Sequence, residues 1–285
     1  MADFYVGFVL ITLFAFLCFV SALWLSRQIP RKVSDVLTLL VVVGLGFYIR
    51  YVWYDVRLAA WLPYSNLVVI GNWLPLIAGV LGGLAWSRIP GRFVRKALSV
   101  SSLGATAIYA VISPALGDPP ECKENWDVDG VCIQTTDNTC TPACAATLLR
   151  MHGIDATEAE MAELCLTRDG TTWMGLYRGL KQKTVGSRWD VEIVECNVSE
   201  LLALGNAPVI LSVGIGDDLS EREQPRYAEW GWRPGQGHSV LLIGRPALGG
   251  FQVADPAPGY GLENWDTESL EVLFQGTAAR LVERS

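Results

Sequence analysis

The sequence predicts an α-helical membrane region of about four spans, followed by an α+β domain with an antiparallel sheet. Three observations lead to that class. Residues 4–25, FYVGFVLITLFAFLCFVSALWL, carry no charge and can cross a bilayer as one helix of about 20 residues. Further apolar stretches recur up to residue 116, where the composition turns mixed and acidic. Beyond that point helix-period segments come first and strand-like runs later, the order of an α+β domain.

The chain has 285 residues, of which 51% are hydrophobic, and a mean hydropathy of +0.30. It is long enough for about two domains, which we place at residues 1–116 and 117–285. The first stretch reads as an anchor, not a cleaved signal, because it opens with Asp3 and no Lys or Arg, and more apolar segments follow. Those segments lie at 35–54, 65–86 and 97–115, the last being rich in Ser, Ala and Gly. Arg27, Arg31 and Lys32 fill the first loop and Arg88, Arg92, Arg95 and Lys96 the third, against Arg50 and Arg57 between the second and third spans. Cations beside spans are retained in the cytoplasm, so the N-terminus and everything after residue 116 are expected outside it.

The linker GDPPEC, Gly117–Cys122, opens the second domain. A first helix runs from Thr141 to His152 and stops at Gly153. Thr157 and Glu160 have capping-box spacing for a second, to about Leu166, and Thr171–Lys183 gives a third. WDVEIVE, APVILSVGI, HSVLLIG and GFQVAD read as strands, with a short helix at VSELLAL. WDTESLEVLF reads as a helix and TAARLV as the closing strand; LEVLFQG, though similar to a viral protease site used in fusion proteins, fits that helix and strand. The net charge of −7, without a basic stripe outside the membrane loops, excludes nucleic acid as a partner. DVDG, Asp127–Gly130, lacks the other ligands of a calcium loop and reads as a turn. Neither a metal nor a cofactor is expected.

The chemistry-bearing residues follow from a few positions. Cys140 opens an apolar helix, where unpaired N–H groups and the helix dipole favour a thiolate. Of the two histidines, His152 sits by a helix stop and suits a capping role, whereas His238 opens the strand HSVLLIG behind the loop RPGQG, where catalytic groups are presented. Asp255 ends the next strand, and adjacent antiparallel strands can bring its carboxylate beside His238 to orient the ring.

Gln134, Cys140 six residues later, the GHSVLLIG strand and VADPAPGYG together resemble the double-glycine leader peptidases, papain-like cysteine peptidases that trim bacteriocin precursors beside their export transporters. The resemblance covers about residues 131–282. It implies Cys140 as nucleophile, His238 as general base and acid, Asp255 as the group orienting the histidine, and Gln134 as the side-chain donor of the oxyanion hole. In one departure, Thr141 stands where that family has glycine, so a side chain there is expected to narrow the cleft. Cys144, one turn further on, is expected to point inward as a structural residue. An outside location permits disulfides, and we expect Cys122–Cys132 first and Cys144–Cys165 second, with Cys196 left over.

These readings together describe a membrane-anchored cysteine peptidase on the outer face of a bacterial cytoplasmic membrane, acting on a peptide or protein substrate and open to a membrane-complex partner. The rivals are a papain-like cell-wall amidase, a catalytically silent peptide-binding or scaffold subunit, and a leader peptidase facing the cytoplasm.

Overall fold

The computed structural model describes residues 2–53, 55–205, 208–216, 227, 229, 231–245 and 249–284. It divides into two compact units, residues 1–58 with 62–116, and residues 59–61 with 117–285.

The first unit is helical: α1 (Ala2–Gln28), α2 (Arg31–Tyr51), the start of the short α3 (Leu58–Trp61), α4 (Leu67–Ile70), α5 (Leu74–Trp86) and α6 (Phe93–Ile112). Four helical segments, Ala2–Gln28, Arg31–Tyr51, Leu67–Trp86 and Phe93–Ala115, are long and apolar enough to cross a membrane. The chain is accordingly a membrane protein. Exposed Phe14, Phe16, Leu39, Leu40 and Phe47 are side chains suited to lipid. Helix α5 lies against α1 so closely that a Cβ at Gly79 or Gly83 would fall 2.3 Å from the carbonyl oxygens of Ala15 or Phe19. The third span breaks at Gly71–Trp73, and side chains satisfy the freed backbone. Tyr48 donates to the Gly71 carbonyl (3.1 Å) and accepts from the Trp73 N–H (2.8 Å), while Asn72 accepts from the Leu74 N–H and donates to the Ala110 carbonyl. Arg88 pairs with Asp35 at 3.1 Å and donates to the Arg31 carbonyl, so both basic loops lie at one end of this unit.

The second unit is a six-stranded antiparallel sheet of order β1-β6-β2-β3-β4-β5 with helices packed on it. The strands are β1 (Trp189–Glu195), β2 (Val209–Val213), β3 (His238–Gly244), β4 (Phe251–Asp255), β5 (Gly261–Trp265) and β6 (Phe274–Glu283). The helices are α7 (Cys140–Met151), α8 (Glu158–Leu164), α9 (Trp173–Lys183), α10 (Val198–Ala203) and α11 (Thr267–Leu273). Leu211, Val240, Val253 and Ala278 of the sheet join Leu201, Leu270 and Leu273 of α10 and α11 in one cluster. Their alternates Ile210, Leu241, Ala254 and Ala279 sit in register across four strands, as buried on the other face. That second face receives α7.

Helix α7 is buried without interruption from Thr141 to Leu149, the pattern of a helix enclosed on every side. Leu148 and Leu149 are fully buried, and each contributes about 2 kcal/mol relative to exposure. Helices α8 and α9 cross tightly, with Gly175 over the Cys165 carbonyl and Gly179 over its sulfur; a Cβ at Gly179 would lie 2.4 Å from that sulfur.

Several sequence expectations change in detail. The Thr157 hydroxyl caps Glu160 N–H, but the Glu160 carboxylate goes to Lys183 at 2.9 Å, and the full capping box forms at Asn197–Glu200. Strand β5 was not anticipated. The expected disulfides are absent: all seven cysteines are free thiols. The Cys144 sulfur is turned to β3, where it donates to the Ser239 carbonyl at 3.3 Å, whereas Cys165 faces Gly179 of α9. Cys132 is fully buried with its N–H on Thr147, while Cys122 donates to the Pro120 carbonyl. Asp127–Gly130 is a turn, with Asp127 accepting from the N–H groups of Asp129 and Val131.

Candidate active site

Cys140 is the first residue of α7. The preceding Thr139 does not cap the helix, because its hydroxyl donates to the Thr136 carbonyl (2.9 Å) and accepts the Thr136 N–H (3.2 Å). The Cys140 N–H is left without a partner among the described residues. Pro142 stands in the same first turn, where a missing N–H costs no helical bond.

The antiparallel pairing of β3 with β4 brings the start of one beside the end of the other. There His238 Nε2 meets Asp255 Oδ1 at 2.8 Å, both side chains largely buried, and the same oxygen accepts the Ala257 N–H at 2.8 Å. With Nε2 turned to the carboxylate, Nδ1 is the nitrogen left for Cys140, which lines the same cavity as the ring. Trp232 stands edge-on to the ring, its centroid 5.7 Å away.

Burial works to raise the Cys140 thiol, but the hydrogen bond and charge of His238, then the Ser239 N–H and the Thr141 hydroxyl, bring it below the ordinary thiol value. Burial likewise works to lower His238, and the bonds to Asp255 and Cys140 together with their charges raise it well above an ordinary imidazole. The two shifts favour a thiolate–imidazolium pair near neutrality. The remaining thiols of this unit move the other way. Burial raises Cys122 to about 11, Cys132 and Cys165 to about 12, Cys144 well above its usual value, and Cys196 upward.

Gln134 is buried and tied in from both sides. Its N–H donates to the carbonyl of Pro256, next to Asp255 (2.7 Å), and its side-chain amide donates to the Thr136 carbonyl (3.0 Å), leaving Oε1 without a partner. The next residue, Thr135, gives both its N–H and its hydroxyl to the wholly buried Glu158 carboxylate, each at 2.8 Å. Thr141 points its hydroxyl at Ser239 (2.8 Å). His152 is remote in role: its Nδ1 bonds the Leu148 carbonyl at 2.8 Å, closing α7. Sequence reasoning missed Trp232 and Glu158. The first lies in the loop that leads to His238, and the second resembles any acid at a helix start.

Two cavities meet at His238. One of about 160 Å³ is lined by Gln134, Trp232, Arg233, Asp255 and Tyr260. The other, of about 410 Å³, is lined by Cys140, Thr141, Asp169, Trp173, Leu176 and Ser239. Among the described residues no group of three or more His, Cys, Asp or Glu is placed to hold a metal ion.

Among known proteins, residues 126–273 match the model of the Peptidase_C39 like family. An uncharacterized protein of Methanothermobacter thermautotrophicus is 37% identical over 79 residues, 27% of this chain and 49% of that protein, so the chain spans about half of that relative's length. The peptidase domain of Streptococcus ComA, a bi-functional ABC transporter involved in a quorum-sensing pathway, is 19% identical over 53% of this chain and 96% of its own, with a TM-score of 0.41. A double glycine motif protease from an AMS/PCAT transporter, solved in complex with the leader peptide, is 15% identical over 57% of this chain and 94% of its own, also with a TM-score of 0.41. The matched family segment is more than half of the 285 residues, and this chain, with its cysteine-headed helix and antiparallel sheet behind four apolar helices, belongs to the Peptidase_C39 like family.

Proposed function

We propose that this protein is a membrane-anchored cysteine peptidase whose second unit, residues 117–285, cleaves a peptide on the outer face of the cytoplasmic membrane. The observation that carries the reading is that Cys140, at the head of a buried helix, shares a cavity with His238, whose ring is fixed by the Asp255 carboxylate at 2.8 Å. The Cys140 thiolate attacks the scissile carbonyl, and the imidazolium of His238 gives its proton to the leaving amine. Asp255 keeps the ring oriented and favours its charged form. Water, deprotonated by His238, then releases the acyl group and restores the thiol pair. The uncapped Cys140 N–H and the second N–H of the Gln134 amide are the donors for the oxyanion. A peptide lies through the two cavities that meet at His238.

The outer-face location rests on the loop charges, seven cations in the first and third loops against Arg50 and Arg57 in the second. One observation favours a silent peptide-binding role instead: one N–H of the Gln134 amide is already held by the Thr136 carbonyl, which leaves a single hydrogen for the cleft. A membrane-impermeant fluorescent probe directed at reactive cysteines, applied to intact cells, tests both claims. Labelling that Cys140→Ala abolishes supports the peptidase and its sidedness. Labelling only after lysis overturns the topology, and none in either case leaves the binding module.

A further inference from the structure

Thr141 stands next to the nucleophile, where the double-glycine leader peptidases have no side chain, and its hydroxyl does not project into open cleft. It lies 2.8 Å from the Ser239 hydroxyl and 3.9 Å from the Cys140 sulfur. Thr141 and Ser239 are both buried, at the seam between α7 and β3. Ser239 also follows His238 in the chain and accepts the Cys144 thiol on its carbonyl. One residue of β3 therefore reaches the nucleophile through Thr141.

We propose that Thr141 and Ser239 form a hydroxyl relay that positions and stabilises the Cys140 thiolate. The direction of the relay follows from hydrogen-bond capacity. A thiolate only accepts, so Thr141 must donate its single hydrogen to sulfur, and Ser239 must then donate to Thr141. When Cys140 is a neutral thiol, that constraint is lifted and both hydroxyls are free to reverse. The relay thus selects for the anionic nucleophile in addition to the imidazolium. Its O–H···S separation is long, as contacts to a nucleophile often are before substrate arrives. The other titratable or charged groups around this sulfur are His238 from β3, itself bonded to Asp255 of β4, Cys144 one turn along α7, and Asp137 and Asp169 on the same cavity. None of them is altered by changing a hydroxyl at 141, and both relay residues act as positioning residues.

This inference rests on Cys140 being the nucleophile, and the test separates the two claims. Alkylation of Cys140 by iodoacetamide is followed against pH by mass spectrometry on the full-length chain in detergent. Wild-type protein should react well below the ordinary thiol range. Thr141→Val, which keeps the shape and removes the hydroxyl, should slow alkylation near pH 6 by about 3- to 10-fold, and Thr141→Ser should restore it. Ser239→Ala should give a smaller loss and add nothing to Thr141→Val, because it acts through Thr141; it also serves alone if the valine variant does not fold. An ordinary profile in wild type would overturn the nucleophile and the relay together. A shifted wild-type profile that Thr141→Val and Ser239→Ala leave unchanged, or losses that add fully, would overturn the relay alone.

Discussion

Glu158 is wholly buried at the start of α8 and accepts two hydrogen bonds from Thr135, each at 2.8 Å. Thr135 adjoins Gln134, so Glu158 fixes the segment from which the proposed oxyanion donor reaches the site. In Glu158→Gln the amide oxygen keeps the Thr135 N–H, and the NH₂ group can be met only if the Thr135 hydroxyl turns round to accept it. Both bonds then lose their charge assistance and the hydroxyl hydrogen loses its acceptor, together about 3 kcal/mol. For a unit of this size the thermal midpoint should fall by about 6–12 °C. If the segment also loses its alignment, kcat should fall about 10-fold with KM nearly unchanged, since an oxyanion donor acts in the transition state. Tryptophan fluorescence on heating measures the first quantity, and hydrolysis of a fluorogenic peptide the second. An unchanged midpoint would refute the energetic reasoning. A lowered midpoint with full kcat would show that Glu158 braces the fold without aligning Gln134.

Three further outcomes are expected. Replacing His238 by Ala removes the charge that holds the Cys140 thiol low, so alkylation should need a higher pH, while Gln134→Ala should leave alkylation intact and slow hydrolysis by about 10²-fold; both are read by the pH dependence of labelling beside peptide turnover. Gly179→Ala puts a methyl 2.4 Å from the Cys165 sulfur and should destabilise by about 1–3 kcal/mol, with Cys165→Ala in the same chain recovering most of the loss in a denaturant melt. A reporter active only in the cytoplasm, fused after residue 285, should stay silent, and a strong signal would reverse the proposed topology.

The spans and most of the sheet were legible because apolar length and alternation are direct consequences of burial. The pairing of His238 with Asp255 was legible because two neighbouring strand ends are places that sequence can locate, and Cys140 stood out because it opens a helix. Strand β5 was not, since GLENW has no alternating apolar run; it forms because β4 offers it an edge. The disulfide expectation failed for a related reason. Equal spacing of Cys144 and Cys165 about a turn says nothing about which face each sulfur takes, and β3 and α9 claim them separately. Thr141 lines the cleft, and its hydroxyl is held by Ser239, a partner 98 residues away that spacing alone does not suggest.

The unbroken burial of α7 bears on how the site is lost. Its amides from Cys144 to Leu149 are enclosed between the sheet and the other helices, so solvent reaches them only when the unit opens as a whole. Deuterium uptake there should match the slowest exchange in the unit and accelerate together with the sheet on warming. A partly opened form that keeps its strands while the sulfur's mount has melted is disfavoured by that enclosure. Heat inactivation should therefore track global unfolding, with no earlier phase in which the site fails on its own.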